Sequence, residues 1–175
     1  MRFVALALLF VASTASARLP VPLEYWDEEA ALTLARSLVG EADFRKRDHE
    51  AIAWVYAKRF ALCRRTKRVL PACESFSTFV RAYSAPLRVK NPRALAVQAL
   101  PWGDPLEGRY RKYRDSWRKL LEWVLTWGKG GIPDPCPAAI HFGGTMDVQK
   151  YGWEVVDCKG TANTFYRPVR TRRGE

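Results

Sequence analysis

The run Ala35-Arg36-Ser37-Leu38-Val39-Gly40-Glu41-Ala42 sets one carboxylate at the C-terminal end of an otherwise apolar helical pattern, beside a glycine that gives close backbone access. A carboxyl group at such a boundary between core and cleft loses hydration, and the negative end of the helix acts in the same direction. Its pKa therefore rises toward the range a general acid needs near neutral pH. The competing reading of Glu41 is a solvated loop residue. The other groups able to do chemistry are His49, His141 and four cysteines, Cys63, Cys73, Cys136 and Cys158. No C-x-x-C occurs and neither histidine stands at a ligand-like distance along the chain from a cysteine, which argues against zinc. His49 falls in the charged opening of a helix and reads as a surface residue. His141 lies in a short apolar run, where a lone histidine is either a satisfied structural group or a polar contact for a ligand.

The elements that must position these groups follow from periodicity. Asp27 to Val39 carries Ala31, Leu34, Ala35 and Leu38 on one face, the pattern of an amphipathic helix, and Gly40 is expected to stop it. A second helix is expected from about Asp48, as its N-cap, to Leu62. Ser75 to Tyr83 reads as a short helix started by a serine. Pro86, Pro92, Pro101 and Pro105 then break the chain into turns, with one helix around Arg93 to Leu100. Arg109 to Trp127 is the strongest helical pattern, because Tyr110, Tyr113, Trp117, Leu120, Leu121 and Val124 recur in steps of three and four; that spacing reads as core. Beyond Pro133 come short apolar runs between Pro and Gly signals: Ala138 to Phe142, Trp153 to Val156 and Asn163 to Tyr166. These read as short strands. The expected fold class is thus α+β, mostly helical, with a small β-rich C-terminal section.

At 175 residues and 48% hydrophobic, the chain is sized for one domain and lies outside the disordered class. Met1 and Arg2 precede an apolar run from Phe3 to Ala12, and Ala15-Ser16-Ala17 has the small-residue pattern of a cleavage site. Residues 1–17 therefore read as a signal peptide and 18–175 as a single exported domain, in the periplasm or outside the cell, with a basic tail over 167–175. An even number of cysteines in an exported chain reads as disulfides, and local closure favours Cys63 with Cys73 and Cys136 with Cys158. An oxidising compartment likewise disfavours a thiol nucleophile. The net charge of +11 falls to +10 once Arg2 leaves with the leader. Such a field favours anionic partners, which for an exported protein are peptidoglycan carboxylates, teichoic acids and lipopolysaccharide phosphates. No recognisable nucleic-acid module accompanies the charge.

An ordered series of motifs adds to this reading. Leu34-Ala35-Arg36 leads into Gly40-Glu41-Ala42, and Ala51-Ile52-Ala53-Trp54-Val55 follows with Lys58-Arg59. Then come Asp134-Pro135, Ala139-Ile140-His141-Phe142, Trp153 and Asn163-Thr164-Phe165-Tyr166. The series, spanning about 30–166, resembles the cell wall hydrolases related to spore-cortex-lytic enzymes. That resemblance implies a lysozyme-like fold and cleavage of peptidoglycan, and places the catalytic role on Glu41. This chain departs from the family pattern between the two helices, where Asp43-Phe44-Arg45 and Asp48-His49-Glu50 stand one residue shorter and without the usual second glutamate.

Glycosidic cleavage ordinarily uses two carboxyl groups, one as acid and one as nucleophile or base. A lytic transglycosylase needs only one. As the resemblance implies, its glutamate protonates the leaving oxygen and then takes the proton of the muramic acid C6 hydroxyl as a 1,6-anhydro ring closes. The missing glutamate fits this single-acid route at least as well as hydrolysis; Asp43 and Asp147 are the candidates for a helper carboxylate. His141 is placed to contact a sugar or orient Glu41. Trp153 and Tyr166 either line the sugar groove or pack in the core. The expectation is an exported, monomeric lytic transglycosylase acting between N-acetylmuramic acid and N-acetylglucosamine, with no cofactor. A muramidase on the same bond, an inactive cationic wall-binding protein and a phage endolysin with a retained N-terminal segment remain open, and an amidase is disfavoured by the absent zinc set.

Overall fold

The computed structural model describes residues 19–66, 70–105, 107–143 and 152–169. Six helices are found among them: α1 (Glu28–Ala42), α2 (Lys46–Arg64), α3 (Phe76–Tyr83), α4 (Ala85–Arg88), α5 (Pro92–Gln98) and α6 (Arg114–Gly128). The strands β1 (His141–Gly143), β2 (Trp153–Val156) and β3 (Thr164–Pro168) form one antiparallel sheet in the order β1-β3-β2. The fold is thus mostly helical with a small C-terminal sheet. The expected leader, Arg18 and the last six residues lie outside the described residues, and no described helix is long and apolar enough to cross a membrane.

α1 is the axis of the molecule. Asp27 caps it, its side chain accepting the Ala30 N–H at 2.7 Å, and Glu28 and Glu29 stand in the first turn where the helix dipole favours negative charge. Downstream, Ala30, Ala31, Thr33, Leu34, Ala35, Ser37, Leu38, Val39 and Ala42 are all buried, because α2, α3, α4, α5 and α6 pack around it. Small alanines let those neighbours approach. Gly40 does not stop the helix as expected; α1 runs on through Glu41 and Ala42 and ends at Asp43, whose φ is 54°. The glycine has another purpose. A Cβ at Gly40 would lie 2.3 Å from Pro86 Cβ, so only glycine lets α4 cross here.

Aromatic rings fill the space between α2, α3 and α6. Phe60 meets Tyr25, Phe76 and Phe79 edge to face at 5.3, 5.4 and 5.5 Å between ring centres. Trp127 sits against Trp26 and Trp54. The expected Arg109–Trp127 helix is realised as a 3₁₀ turn (Arg111–Tyr113) followed by α6, with Trp117, Leu120, Leu121 and Val124 buried. Ser75 caps α3 as its sequence suggests, and Asn91 caps α5.

The sheet is tied to the helices by side chains. The two cystines are Cys63–Cys73, fastening the end of α2 to the turn before α3, and Cys136–Cys158, joining the segments that lead into β1 and out of β2. Lys58 on α2 donates to the Asp134 carboxylate and the Cys136 carbonyl, both at 2.9 Å. Asp48 is not the N-cap of α2, which starts two residues earlier. Its buried carboxylate instead accepts the backbone N–H groups of Ala162 and Asn163 and the Asn163 amide, at 2.8 to 3.3 Å, holding the approach to β3 against α2. His49 is also buried rather than on the surface, its Nε2 2.5 Å from the Asp43 carbonyl. Burial lowers its pKa to about 4, so it is neutral at physiological pH, when Nε2 carries the proton to that carbonyl.

Candidate active site

Because α1 extends past Gly40, Glu41 is its penultimate residue and shares a face with Ser37, four positions earlier. Glu41 is half-buried. Ser84, in the step between α3 and α4, donates to its Oε1 at 3.2 Å. Ser37 Oγ stands 2.9 Å from Ser84 Oγ and 3.0 Å from the Tyr56 hydroxyl, and both serines and Tyr56 are closed off from solvent. The Tyr56 hydroxyl and the Ala85 backbone N–H also reach the Glu41 carboxyl, and the charge facing it is Arg88.

Those hydrogen bonds and Arg88 favour the ionised carboxylate, yet burial outweighs them and raises the Glu41 pKa. The tyrosine responds in turn. Burial, and after it the charge of Glu41, pushes the Tyr56 phenol far above its usual range, so it stays a hydrogen-bond donor at any physiological pH. The arrangement is a partly desolvated carboxyl group on a rigid helix end, oriented by two hydroxyls and one backbone N–H. It is equipped to deliver a proton and take one back.

α2, the end of α3, β1 and β2 enclose an open cleft of about 540 Å³ whose lining includes Arg59, Tyr83, Ile140, His141 and Trp153; it connects to Glu41 through the consecutive residues Tyr83 and Ser84. Arg59 lies one turn beyond Tyr56 on α2. Its guanidinium stacks over the Tyr83 ring at 4.6 Å and donates from Nη1 to His141 Nδ1 at 3.0 Å. Since arginine only donates, Nδ1 must accept. The His141 ring also stands 5.2 Å from Trp153 and 6.0 Å from Tyr166. A second cavity, of about 320 Å³, lies away from Glu41 between the α1–α2 link and α6, lined by Phe44, His49 and Trp123 among others.

The residues singled out by sequence divide accordingly. Glu41, His141 and Trp153 fall on two adjoining parts of one region, with Tyr83 and Ser84 as consecutive residues between them. Tyr166 is buried beneath the sheet end, its hydroxyl donating to the Gly143 carbonyl at 3.2 Å, so it supports His141 rather than presenting a face to the cleft. The Asp43 carboxylate is exposed and faces Arg93 at 3.6 Å. Asp147 lies outside the described residues. Among the described residues no three His, Cys, Asp or Glu side chains converge as metal ligands would. Sequence reasoning did not pick out Ser37, Tyr56 and Ser84. The one available signal was the polar row Thr33 and Ser37 leading at four-residue steps to Glu41 along a mostly apolar face. No family model matches the chain, and neither does any curated protein or solved structure.

Proposed function

We propose that the protein is an exported peptidoglycan-cleaving enzyme of lysozyme-like design, acting as a lytic transglycosylase with Glu41 as its single acid and base. The observation that carries this reading is the partly buried Glu41 carboxyl, its pKa raised, held by Ser84, Tyr56 and the Ala85 N–H, with Tyr83, the residue before Ser84, lining an open, aromatic-walled cleft. In the first half of the reaction the Glu41 proton passes to the glycosidic oxygen as the bond from the muramic acid C1 to that oxygen breaks. In the second, the C6 hydroxyl oxygen bonds to C1 and its proton returns to Glu41, so no water is consumed. Ser84 and Tyr56 then serve as positioning residues, donating to the carboxylate when it is ionised. The exposed Asp43, turned to Arg93, makes a paired-carboxylate mechanism the less economical one.

Two further features support an envelope substrate. The paired cysteines suit an oxidising compartment. Arg109, Arg111, Lys112 and Arg114 gather on an exposed groove suited to anionic polymers. The test is mass spectrometry of soluble products after the disulfide-intact protein is incubated with purified peptidoglycan, beside Glu41→Gln. Anhydro-muropeptides from the wild type alone are expected. Reducing-end products would reassign the enzyme as a muramidase. Absence of products, with both proteins sedimenting with the wall, would leave a cationic binding protein.

A further inference from the structure

Arg59 is a charged side chain that meets no opposite charge among the described residues. It is half-buried on α2, and burial works against its cation, yet among the described residues no carboxylate pairs with it. Its ion-pairing contrasts with that of its neighbour Lys58, which meets Asp134 at 2.9 Å. Of the five guanidinium N–H donors, one is engaged by His141 Nδ1; the Tyr83 ring covers a face of the plane and accepts no in-plane hydrogen bond. Arg59 lines a cleft large enough for a sugar ring with a substituent, whose lining also includes Trp153. Stacking on Tyr83 and the bond to His141 fix the guanidinium plane, so little side-chain freedom is left to lose on binding.

We propose that Arg59 is the recognition site for a carboxylate carried by the ligand, with the sugar ring or peptide that bears it lying against Trp153 and Tyr83. A fixed guanidinium fork matches the two oxygens of a carboxylate, and a neutral ligand would leave the desolvated cation unanswered. The site adjoins Glu41, because Tyr83 beneath Arg59 is followed directly by Ser84, which holds Glu41. On the reading given above, on which the identity of the ligand rests, the carboxylate has two sources in peptidoglycan. One is the lactyl group of muramic acid where no peptide is attached; the other is a free carboxylate of the stem peptide.

The test is a binding titration by calorimetry with small probes that hold no bond for the enzyme to cleave: N-acetylmuramic acid, its lactyl amide, N-acetylmuramyl dipeptide with its free carboxylate, and the corresponding peptide amide. At least one acid is expected to bind tenfold or more tightly than its amide, with the affinity falling as salt rises, and the pair that discriminates names the source. Arg59→Gln is expected to erase the difference, and Arg59→Lys, which keeps the charge but not the fork, to restore part of it. Equal binding of both acids and their amides, absence of binding by all four, or discrimination that survives Arg59→Gln in a folded variant would each overturn the proposal. Should Arg59→Gln not fold, the wild-type acid and amide titrations together with Arg59→Lys decide it. Cleavage is read separately. A protein that discriminates acid from amide yet releases no muropeptides keeps the Arg59 site and loses the Glu41 chemistry, and one that cuts glycan without discriminating does the reverse.

Discussion

Gly40→Ala sets two opposing effects against each other at the residue before the proposed acid. In an unobstructed helix interior, alanine would be favoured over glycine by about 0.8–1.0 kcal/mol. Here the new Cβ would stand 2.3 Å from Pro86 Cβ and 2.7 Å from Pro86 Cγ. Carbon atoms rest at about 3.5–4.0 Å, so Pro86 must retreat by more than about 1 Å, and its ring is too rigid to do so alone. The displacement therefore passes into α4, whose first residue Ala85 and preceding residue Ser84 hold Glu41. Overpacking of this kind costs about 1–3 kcal/mol, which cancels or exceeds the helix gain and gives a net loss of roughly 0–2 kcal/mol. Turnover is the more sensitive readout, since a 1 Å misplacement of a reacting group can lower rate by about 10²-fold. The assay is urea unfolding with muropeptide release on the same samples, and Gly103→Ala is the reference, because a Cβ there meets nothing within 4 Å. A Gly40→Ala protein stabilised by about 1 kcal/mol with undiminished release would refute the close approach of α4 and its role in holding Glu41.

Glu41→Gln is expected to abolish muropeptide release, and its stability has a defined sign. A carboxyl whose folded pKa is raised binds more protons when folded, so its contribution to stability is present below the unfolded pKa and is lost as pH rises through the folded value. The thermal midpoint of Glu41→Gln relative to wild type should accordingly climb from acidic to neutral pH, and a flat difference across that range would contradict the raised pKa. For Asp48→Ala, loss of the acceptor for two backbone N–H groups should destabilise by about 2–5 kcal/mol and speed hydrogen exchange at Ala162 and Asn163. A change under about 1 kcal/mol would show that the clamp is replaced by water. Reduction of both cystines should lower stability by roughly 3 kcal/mol for each loop, whose cysteines are separated by 10 and 22 positions, measured as the shift in urea midpoint with and without reductant.

Helix existence was legible wherever one face was apolar and one polar. Ser75 shows why: a capping side chain and the periodicity after it lie within a few residues of each other, so the signal is local. The misread positions had non-local causes. Gly40 reads as a stop by itself, and only the crossing of Pro86, far along the chain, reveals a packing role. Asp48 reads as a cap because it precedes an apolar helix, but its hydrogen bonds run to residues 162 and 163. His49 looks exposed among charges, although the turn at Asp43 brings a carbonyl to it and closes it off. All three strands were found as apolar runs, and Trp153–Val156 matches β2 at both ends; β1 and β3 were misplaced at their ends, since β1 is pinned by pairing His141 with Tyr166 and not by its own composition.

The same division runs through the candidate site. Glu41 could be singled out because a helix end, a glycine and a carboxylate are adjacent in sequence. What gives that carboxyl its chemistry comes from elsewhere: Tyr56 from α2 and Ser84 from the α3–α4 step, meeting on Ser37. Serine and tyrosine carry no periodic signature that marks a buried contact, and a hydroxyl placed to orient a carboxylate is compositionally identical to one facing water. Arg59 makes the converse case. In sequence it is only the second residue of the Lys58-Arg59 pair, and its distinction is physical: a desolvated cation fixed by Tyr83 and His141 that meets no carboxylate among the described residues. A fold retains such a charge at a cost in stability, and a ligand that supplies the missing anion regains that energy as affinity.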